Sequence, residues 1–426
     1  MKALNELGLI EARAALDARD ISAEALLVAC LNRITSRESE VGAWAYIDIA
    51  RALEQAREYD ADRPDSTRPL RGIPFGIKDV IDAAGMPAGY GSPLYAGYRP
   101  AWDAYCVAAI KRAGGIILGK NTTSEFAHTR PARTRNPHNV AHTPGGSSSG
   151  SAAAVADFMV PASLTTQTGG STIRPAAYCG IVGYKPSFGL INRAGIKSLA
   201  ESLDTIGIMA RSVSDVGLMA SVLADFPPTP ELLSKSPKIG LCRTPYWSDV
   251  DDDYQNCLHF TIEQLKANGA VIEEIALSDN LFHQYADQRD IMNFEGARAL
   301  AFEFDNFPEK LSSVLRQHLQ RGRDFSRSAY TAALHRTHLA RSEFAQLIRN
   351  VDFVLAPSAS GEAPLGLDTS GSSLYNRNWS LLGVPCITLP GGIGRKGLPL
   401  GVQLVGRFGQ DLSLLAWADW MEDIIG

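Results

Sequence analysis

The chain has 426 residues, of which 45% are hydrophobic and 20% charged, a balance that supports a large buried core and excludes a disordered chain. A net charge of −5 and a pI near 5.9 speak against a dedicated nucleic-acid binder, which carries a basic footprint. No run approaches the roughly eighteen apolar residues of a membrane span, and the opening MKALNELGLIEARAALDARD is too evenly charged to be a signal peptide.

From the N-terminus, Ser22 stands before AEALLVACLNRI, where Ala25, Leu26, Ala29, Cys30 and Ile34 share one helical face, so Ser22 is the expected N-cap. A second helix is expected from about Ile47 to Tyr59. GIPFGIKDVID (72–82) is short, β-branched and bounded by Gly and Pro, as strands are. A helix over about Ala104 to Ala113 and the strand GIILGK (115–120) follow. Residues 144–186 are rich in Gly, Ser and Thr, yet SAAAVADFM and YCGIVGYK interrupt them with apolar patterns. That stretch is therefore expected to be close-packed rather than a linker. Residues 238–277 read as a βαβ unit, and 280–349 as an almost wholly helical segment. DFVLAP, PCITLP and LPLGVQLVG return to strands before a last helix, DLSLLAWADWMEDI. Strands at both ends of the chain predict an α/β fold: one large domain, 1–426, with a mixed central sheet covered by helices on both faces. The helical segment at about 280–349 reads as an insert contributing to a pocket.

The cysteines Cys30, Cys106, Cys179, Cys242, Cys257 and Cys386 never form C-x-x-C and are expected to be reduced thiols of a soluble cytoplasmic protein. Three motifs are decoys. GGIILGKN (114–121) approximates a phosphate loop, but its Ile-Ile-Leu interior suits a strand. GIGRKG (392–397) precedes a strand rather than the helix a dinucleotide fingerprint requires, so a hairpin loop is expected. GSSSG (146–150) fits a nucleophile elbow around Ser148, but NVAHTP is a poor strand to precede one. His138 and His142 lack a metal-ligand set, and Asp249 and Asp251–Asp253 read as acids at a helix N-terminus.

Lys78 closes the apolar run GIPFGIKD, Ser147 lies in PGGSSSGSAAAVA, and Ser171 lies in TQTGGSTIRPAAYCG. With GKNTTSEF, TRNPHNVAHTPGGSSSGSAAAVA, SLDTIGIMARSVSD and LLGVPCITLPGG, these blocks resemble the amidase signature family of Ser–cis-Ser–Lys hydrolases along nearly the whole chain. The resemblance implies Ser171 as nucleophile, Ser147 as the bridging serine after a cis Gly146–Ser147 peptide, and Lys78 as base. It also implies an oxyanion hole from the backbone N–H groups of Thr168, Gly169, Gly170 and Ser171, with no metal and no organic cofactor. No histidine motif offers a base, and burial beside Ile77 and Val80 would favour the neutral lysine amine such chemistry needs. Three departures stand out: Gln167 where many relatives carry an acid, Arg174 three residues after Ser171 where many carry an arginine two residues after it, and Ser149 where glycine is usual.

The expected activity is amidase hydrolysis of a small-molecule C–N bond other than a peptide bond, through a Ser171 acyl-enzyme. Carbamate or ester hydrolysis at the same site is the alternative, and after it the glutamine-hydrolysing subunit of a tRNA-dependent amidotransferase. Gln167, the negative charge and the aromatic-bearing insert speak against that last reading. The substrate pocket is expected to involve Phe126, Ala127, His128, Gln167, Tyr375 and Trp379, whose aromatic members lean toward an apolar or aryl substrate. Small-molecule partners only are expected, with homodimer formation left open.

Overall fold

The short apolar runs pair into one eleven-stranded mixed sheet in the computed structural model, which describes residues 2–62, 67–128, 130–227 and 236–426. Its strands are β1 (Trp44–Ile47), β2 (Pro74–Lys78), β3 (Ile116–Asn121), β4 (Ala162–Gln167), β5 (Val182–Lys185) and β6 (Thr205–Ala210), then β7 (Lys238–Leu241), β8 (Val271–Glu274), β9 (Phe353–Pro357), β10 (Cys386–Ile393) and β11 (Pro399–Val405). The order across the sheet is β1-β3-β2-β4-β6-β5-β10-β11-β9-β7-β8. β2 runs parallel to both β3 and β4, and β7 runs parallel to β8 and β9, while β4–β6–β5–β10–β11–β9 are antiparallel neighbours.

Side-chain alternation gives each face of the sheet its own core. Along β9, Phe353 and Leu355 point to one side, where the helices Tyr105–Arg112, Val213–Ala224, Asp252–Ala267 and Asp411–Ile425 pack. Val354 and Ala356 point to the other, against Phe344 of the helix Arg327–Leu347 and Trp379 of the helix Leu374–Leu382. Near β3 that second side is covered by Leu27 and Ile34 of the helix Ala23–Val41 and by Ala152–Val155 of the helix Ser149–Ala156. This is a single large α/β domain.

Several local expectations hold. Ser22 Oγ accepts from Ala25 N at 3.0 Å and caps its helix. Residues 238–274 form the expected βαβ unit, GIILGK lies in β3, and GIGRKG is the turn joining β10 to β11. Residues 280–349 are mainly helical, and all six cysteines are free. Others change. The helix expected from Ile47 begins at Ile49, because Asp48 accepts from Arg51 N and ends the strand β1 there. β4, ASLTTQ, is a fully buried strand made largely of polar residues. It can be buried because its hydroxyls pair: Ser163 with Asn121 Oδ1 at 2.8 Å, and Thr165 with Thr172 Oγ1 at 2.8 Å. Among the described residues no helix is long and apolar enough to cross a membrane.

The parallel pair β2 and β4, in the register Ile77↔Leu164, brings Lys78 and the chain after Gln167 to the same edge of the sheet. Loops leaving the C-terminal ends of parallel strands are where such folds build sites.

Candidate active site

Lys78 is wholly buried at the end of β2. Its Nζ lies 2.7 Å from Ser147 Oγ, 2.8 Å from Thr166 Oγ1 and 3.2 Å from Thr166 O. Burial pushes the ammonium down to about 7, Asp204 opposing and Arg174 adding to the fall. The next residue, Asp79, stands in a buried ion pair with a different lysine, Lys120, whose Nζ is 2.8 Å away. Lys78 has no carboxylate in bonding distance among the described residues. The Gly146–Ser147 peptide is cis, and Arg174 Nη2 donates to Gly146 O, fixing the carbonyl that precedes Ser147.

The four residues after β4 are arranged differently on their two sides. The first three carbonyls are tied: Thr168 O accepts from Gln288 Nε2 at 3.2 Å, Gly169 O from Ser380 Oγ at 2.7 Å, and Gly170 O from Arg174 N at 3.0 Å. Their N–H groups are not. Among the described residues, those of Thr168, Gly169, Gly170 and Ser171 have no hydrogen-bond acceptor. All four residues line one cleft, so four consecutive donors stand at a space that a ligand or water can enter. Ser171, 8% exposed, opens with Ser147 onto a cleft of about 410 Å³. No hydrogen bond joins the two hydroxyls among the described residues.

A serine beside a row of unpaired N–H groups, with a second serine on a buried lysine, coincides with a family match over residues 25–415, described as Amidase. The chain belongs to the amidase (amidase signature) family. Members of this family hydrolyse carbon–nitrogen bonds. The chain is 33% identical over 470 aligned positions to a glutamyl-tRNA(Gln) amidotransferase subunit of Roseiflexus castenholzii, covering 98% of this chain and 96% of the relative. Among solved structures it resembles an amidase, with a TM-score of 0.91, 29% identity and coverage of 99% and 100%. It also resembles the native peptide amidase of Stenotrophomonas maltophilia, with a TM-score of 0.85, 26% identity and coverage of 99% and 97%.

Against this family background, the residues expected in the substrate pocket divide. Ala127 and His128 line the cleft, with burial, His318 and Arg377 pushing the His128 imidazole down to about 3, so it is neutral. Phe126 is not in the cleft wall; it is buried against Tyr95 in the core. Tyr375 and Trp379 also lie in the core rather than the wall. Tyr375 donates to Tyr246 O, and the Trp379 ring, 1% exposed, packs 5.4 Å from Phe344. The helix Leu374–Leu382 turns these aromatic side chains inward and presents Leu374 and Arg377 to the cleft instead. Gln167 serves the loop from behind: its Oε1 accepts from Thr172 N (2.8 Å) and Ile173 N (3.0 Å), and its Nε2 donates to Ser380 Oγ. A carboxylate would accept from the same two N–H groups, but only the amide also donates to Ser380 Oγ, whose own proton goes to Gly169 O.

Ser149 sits at the start of its helix, its hydroxyl 3.5 Å from Thr122 O. Ser148 is buried, its hydroxyl directed to Thr166 O, and no strand precedes it, so GSSSG is not a nucleophile elbow. His138 and His142 hold backbone carbonyls, of Cys179 and Ala363. The motif reading passed over Arg174 as a local departure and missed Gln288 and Arg377, all of which line the cleft with Ser370, Ser372 and Ser373. The wall mixes these polar and cationic groups with aliphatic Leu199, Met292 and Leu374, and none of the aromatic residues Phe126, Tyr375 and Trp379 lines it.

Proposed function

We propose that the chain hydrolyses the amide bond of a small molecule through an acyl-enzyme on Ser171. The observation that carries the reading is the run of four unpaired N–H groups, Thr168 to Ser171, ending on a cleft-facing serine. Donors held in place before the reaction stabilise the oxyanion without reorganising, usually the largest single contribution to such catalysis.

Lys78 supports the base role. As a neutral amine it has two N–H donors, which Thr166 O and Thr166 Oγ1 take up, leaving its lone pair for the Ser147 O–H. In the proposed sequence Ser171 Oγ attacks the carbonyl carbon, its proton passes to Ser147, and the Ser147 proton passes to Lys78. The tetrahedral oxyanion rests on the four N–H groups. As it collapses, the C–N bond breaks and the amine leaves with the proton returned through Ser147. Water then attacks the ester on Ser171, with the same relay as base, and releases the acid. Carbamates and esters pass through the same kind of oxyanion.

A second reading, the glutamine-hydrolysing subunit of an amidotransferase, is favoured by the similarity to the Roseiflexus castenholzii relative along 98% of the chain. A steady-state screen of anilides, aliphatic amides, carbamates and glutamine separates the two. The first reading expects turnover by the chain alone, abolished in Ser171→Ala. Release of ammonia from glutamine, rising only when partner chains are added, would establish the second.

A further inference from the structure

The block SLDTIG sets an acid, Asp204, directly before β6, and no step of the proposed reaction uses it. The register Gln167↔Thr205 brings Thr168, leaving β4, beside Asp204, entering β6. Asp204 is 3% exposed, and both carboxylate oxygens are engaged. Its Oδ1 accepts from Thr168 Oγ1 at 2.6 Å. Its Oδ2 accepts from Leu199 N at 2.8 Å, Ala200 N at 3.0 Å and Ser198 Oγ at 3.0 Å. All four donors are neutral, and among the described residues no cationic group bonds to the carboxylate; Arg193 reaches only the Asp204 backbone carbonyl, at 3.2 Å.

These bonds join two parts of the site. Thr168 is the first of the four residues whose N–H groups stand at the cleft, and Leu199 belongs to the cleft wall. With its carbonyl held by Gln288 and its hydroxyl by Asp204, Thr168 is fixed on two sides and its N–H is left to the cleft. Oxyanion donors work by being in place before the reaction, and a misplacement of about 1 Å can cost about 10²-fold. The same carboxylate acts on the base. Lys78 Nζ rests on Thr166 Oγ1, and Asp204 on Thr168 Oγ1 two residues on. Two charged groups bear on Lys78: Asp204 favours its ammonium, and Arg174 disfavours it, as burial does. A general base works best when it titrates near the operating pH, so a charge that offsets part of the burial keeps the amine an effective one.

We infer that Asp204 is a positioning residue for the reaction, tying the oxyanion loop at Thr168 to the cleft wall at Leu199 and holding a fixed negative charge within range of Lys78. It touches neither the substrate nor the reacting atoms. This rests on Ser171 as nucleophile and Lys78 as base, and it adds to them a residue that acts through both Thr168 and Lys78.

Asp204→Asn separates the charge from the shape: its Oδ1 can still accept from Leu199 N and Ala200 N, and its Nδ2 can donate to Thr168 Oγ1. The experiment follows the rate of fluorophosphonate labelling of Ser171 from about pH 5.5 to about pH 9, with circular dichroism confirming each fold. At about pH 6 the wild type should label at about a tenth of its plateau rate, and Asp204→Asn at about twice that fraction or more, because its lysine loses the proton at lower pH. Thr168→Val keeps the charge and cuts the tie; it should lower the plateau about tenfold or more without moving the midpoint, and Thr168→Ser should restore it. An unmoved midpoint in a folded Asp204→Asn, or a wild-type plateau in a folded Thr168→Val, overturns the inference. Should Asp204→Asn fail to fold, Thr168→Val and Thr168→Ser decide. Absence of labelling, or a wild-type rate independent of pH, defeats the nucleophile or the base assignment on its own. Urea denaturation then decides the charge separately: the stability gained as the buried lysine loses its proton should set in at lower pH in Asp204→Asn than in the wild type, and that difference should vanish in a Lys78→Met background. An unchanged onset counts against Asp204.

Discussion

Replacing Lys78 by methionine removes the one titratable side chain bonded to Ser147 while keeping most of its volume. A fall from the usual 10.5 to about 7 disfavours the buried ammonium by roughly 5 kcal/mol, at about 1.4 kcal/mol per pH unit. With no exposed surface on this side chain, solvent screening takes little from that figure. At pH 7.5 about three quarters of the amine is neutral, against about one part in a thousand for a free lysine. The wild-type kcat/KM should therefore rise about tenfold per pH unit below about 7 and level off above about 8. Stability moves in the same direction. The unfolded chain keeps the lysine proton up to about 10.5, the folded one loses it above about 7, and in that window folded stability gains about 1.4 kcal/mol per pH unit. Below about 7 both forms are charged and the whole burial penalty is present. Urea denaturation of wild type and Lys78→Met from about pH 6 to 9.5 isolates this slope, because the variant cannot titrate there. Lys78→Ala supplies the kinetic half: amide hydrolysis should fall far more than ester hydrolysis, since an amine needs its proton returned and an activated alkoxide does not. A flat pH–rate profile, a stability difference independent of pH, or an unchanged amide-to-ester ratio would refute the base role.

Gly170→Val places a Cβ 3.1 Å from Asn376 Cβ and shifts the loop's donors; turnover should drop about 10²-fold or more in a variant still folded by circular dichroism, and full turnover would mean that the loop does not face the substrate. Gln167→Ala frees the N–H groups of Thr172 and Ile173 and should cost about 1–3 kcal/mol in urea denaturation, with Gln167→Glu, which keeps the acceptor, losing less; wild-type stability in Gln167→Ala would contradict the capping role. Trp379→Ala should cost about 3–5 kcal/mol as a core truncation, whereas a change in KM confined to one substrate series in the milder Trp379→Phe would return the ring to the cleft wall.

The parts of the fold written in local pattern were legible. Apolar β-branched runs bounded by Gly and Pro became β2, β3, β9, β10 and β11, and the 3.6-residue periodicity of 280–349 became helices. β4 was not legible, because a strand of Ser, Thr and Gln resembles a loop until its hydroxyls meet partners such as Asn121, 42 residues away. The Lys78, Ser147 and Ser171 assembly was visible as motif blocks, and the structure brings Lys78 and Ser147 into direct contact. The substrate wall was hidden for another reason. Sequence periodicity shows that 374–382 is helical but not which face meets the cleft, so Tyr375 and Trp379 were favoured over Arg377, which stands between them in sequence on the face that meets the cleft. Gln288 reaches Thr168 O across 120 residues of sequence, a contact no local pattern encodes.

The most direct measurement is covalent. Wild-type protein treated with a fluorophosphonate and digested for peptide mass spectrometry should carry the adduct on Ser171, and labelling should slow markedly in Ser147→Ala and Lys78→Ala, which break the relay. An adduct on Ser148 alone, or labelling of Ser171 at an undiminished rate in both variants, would contradict the account.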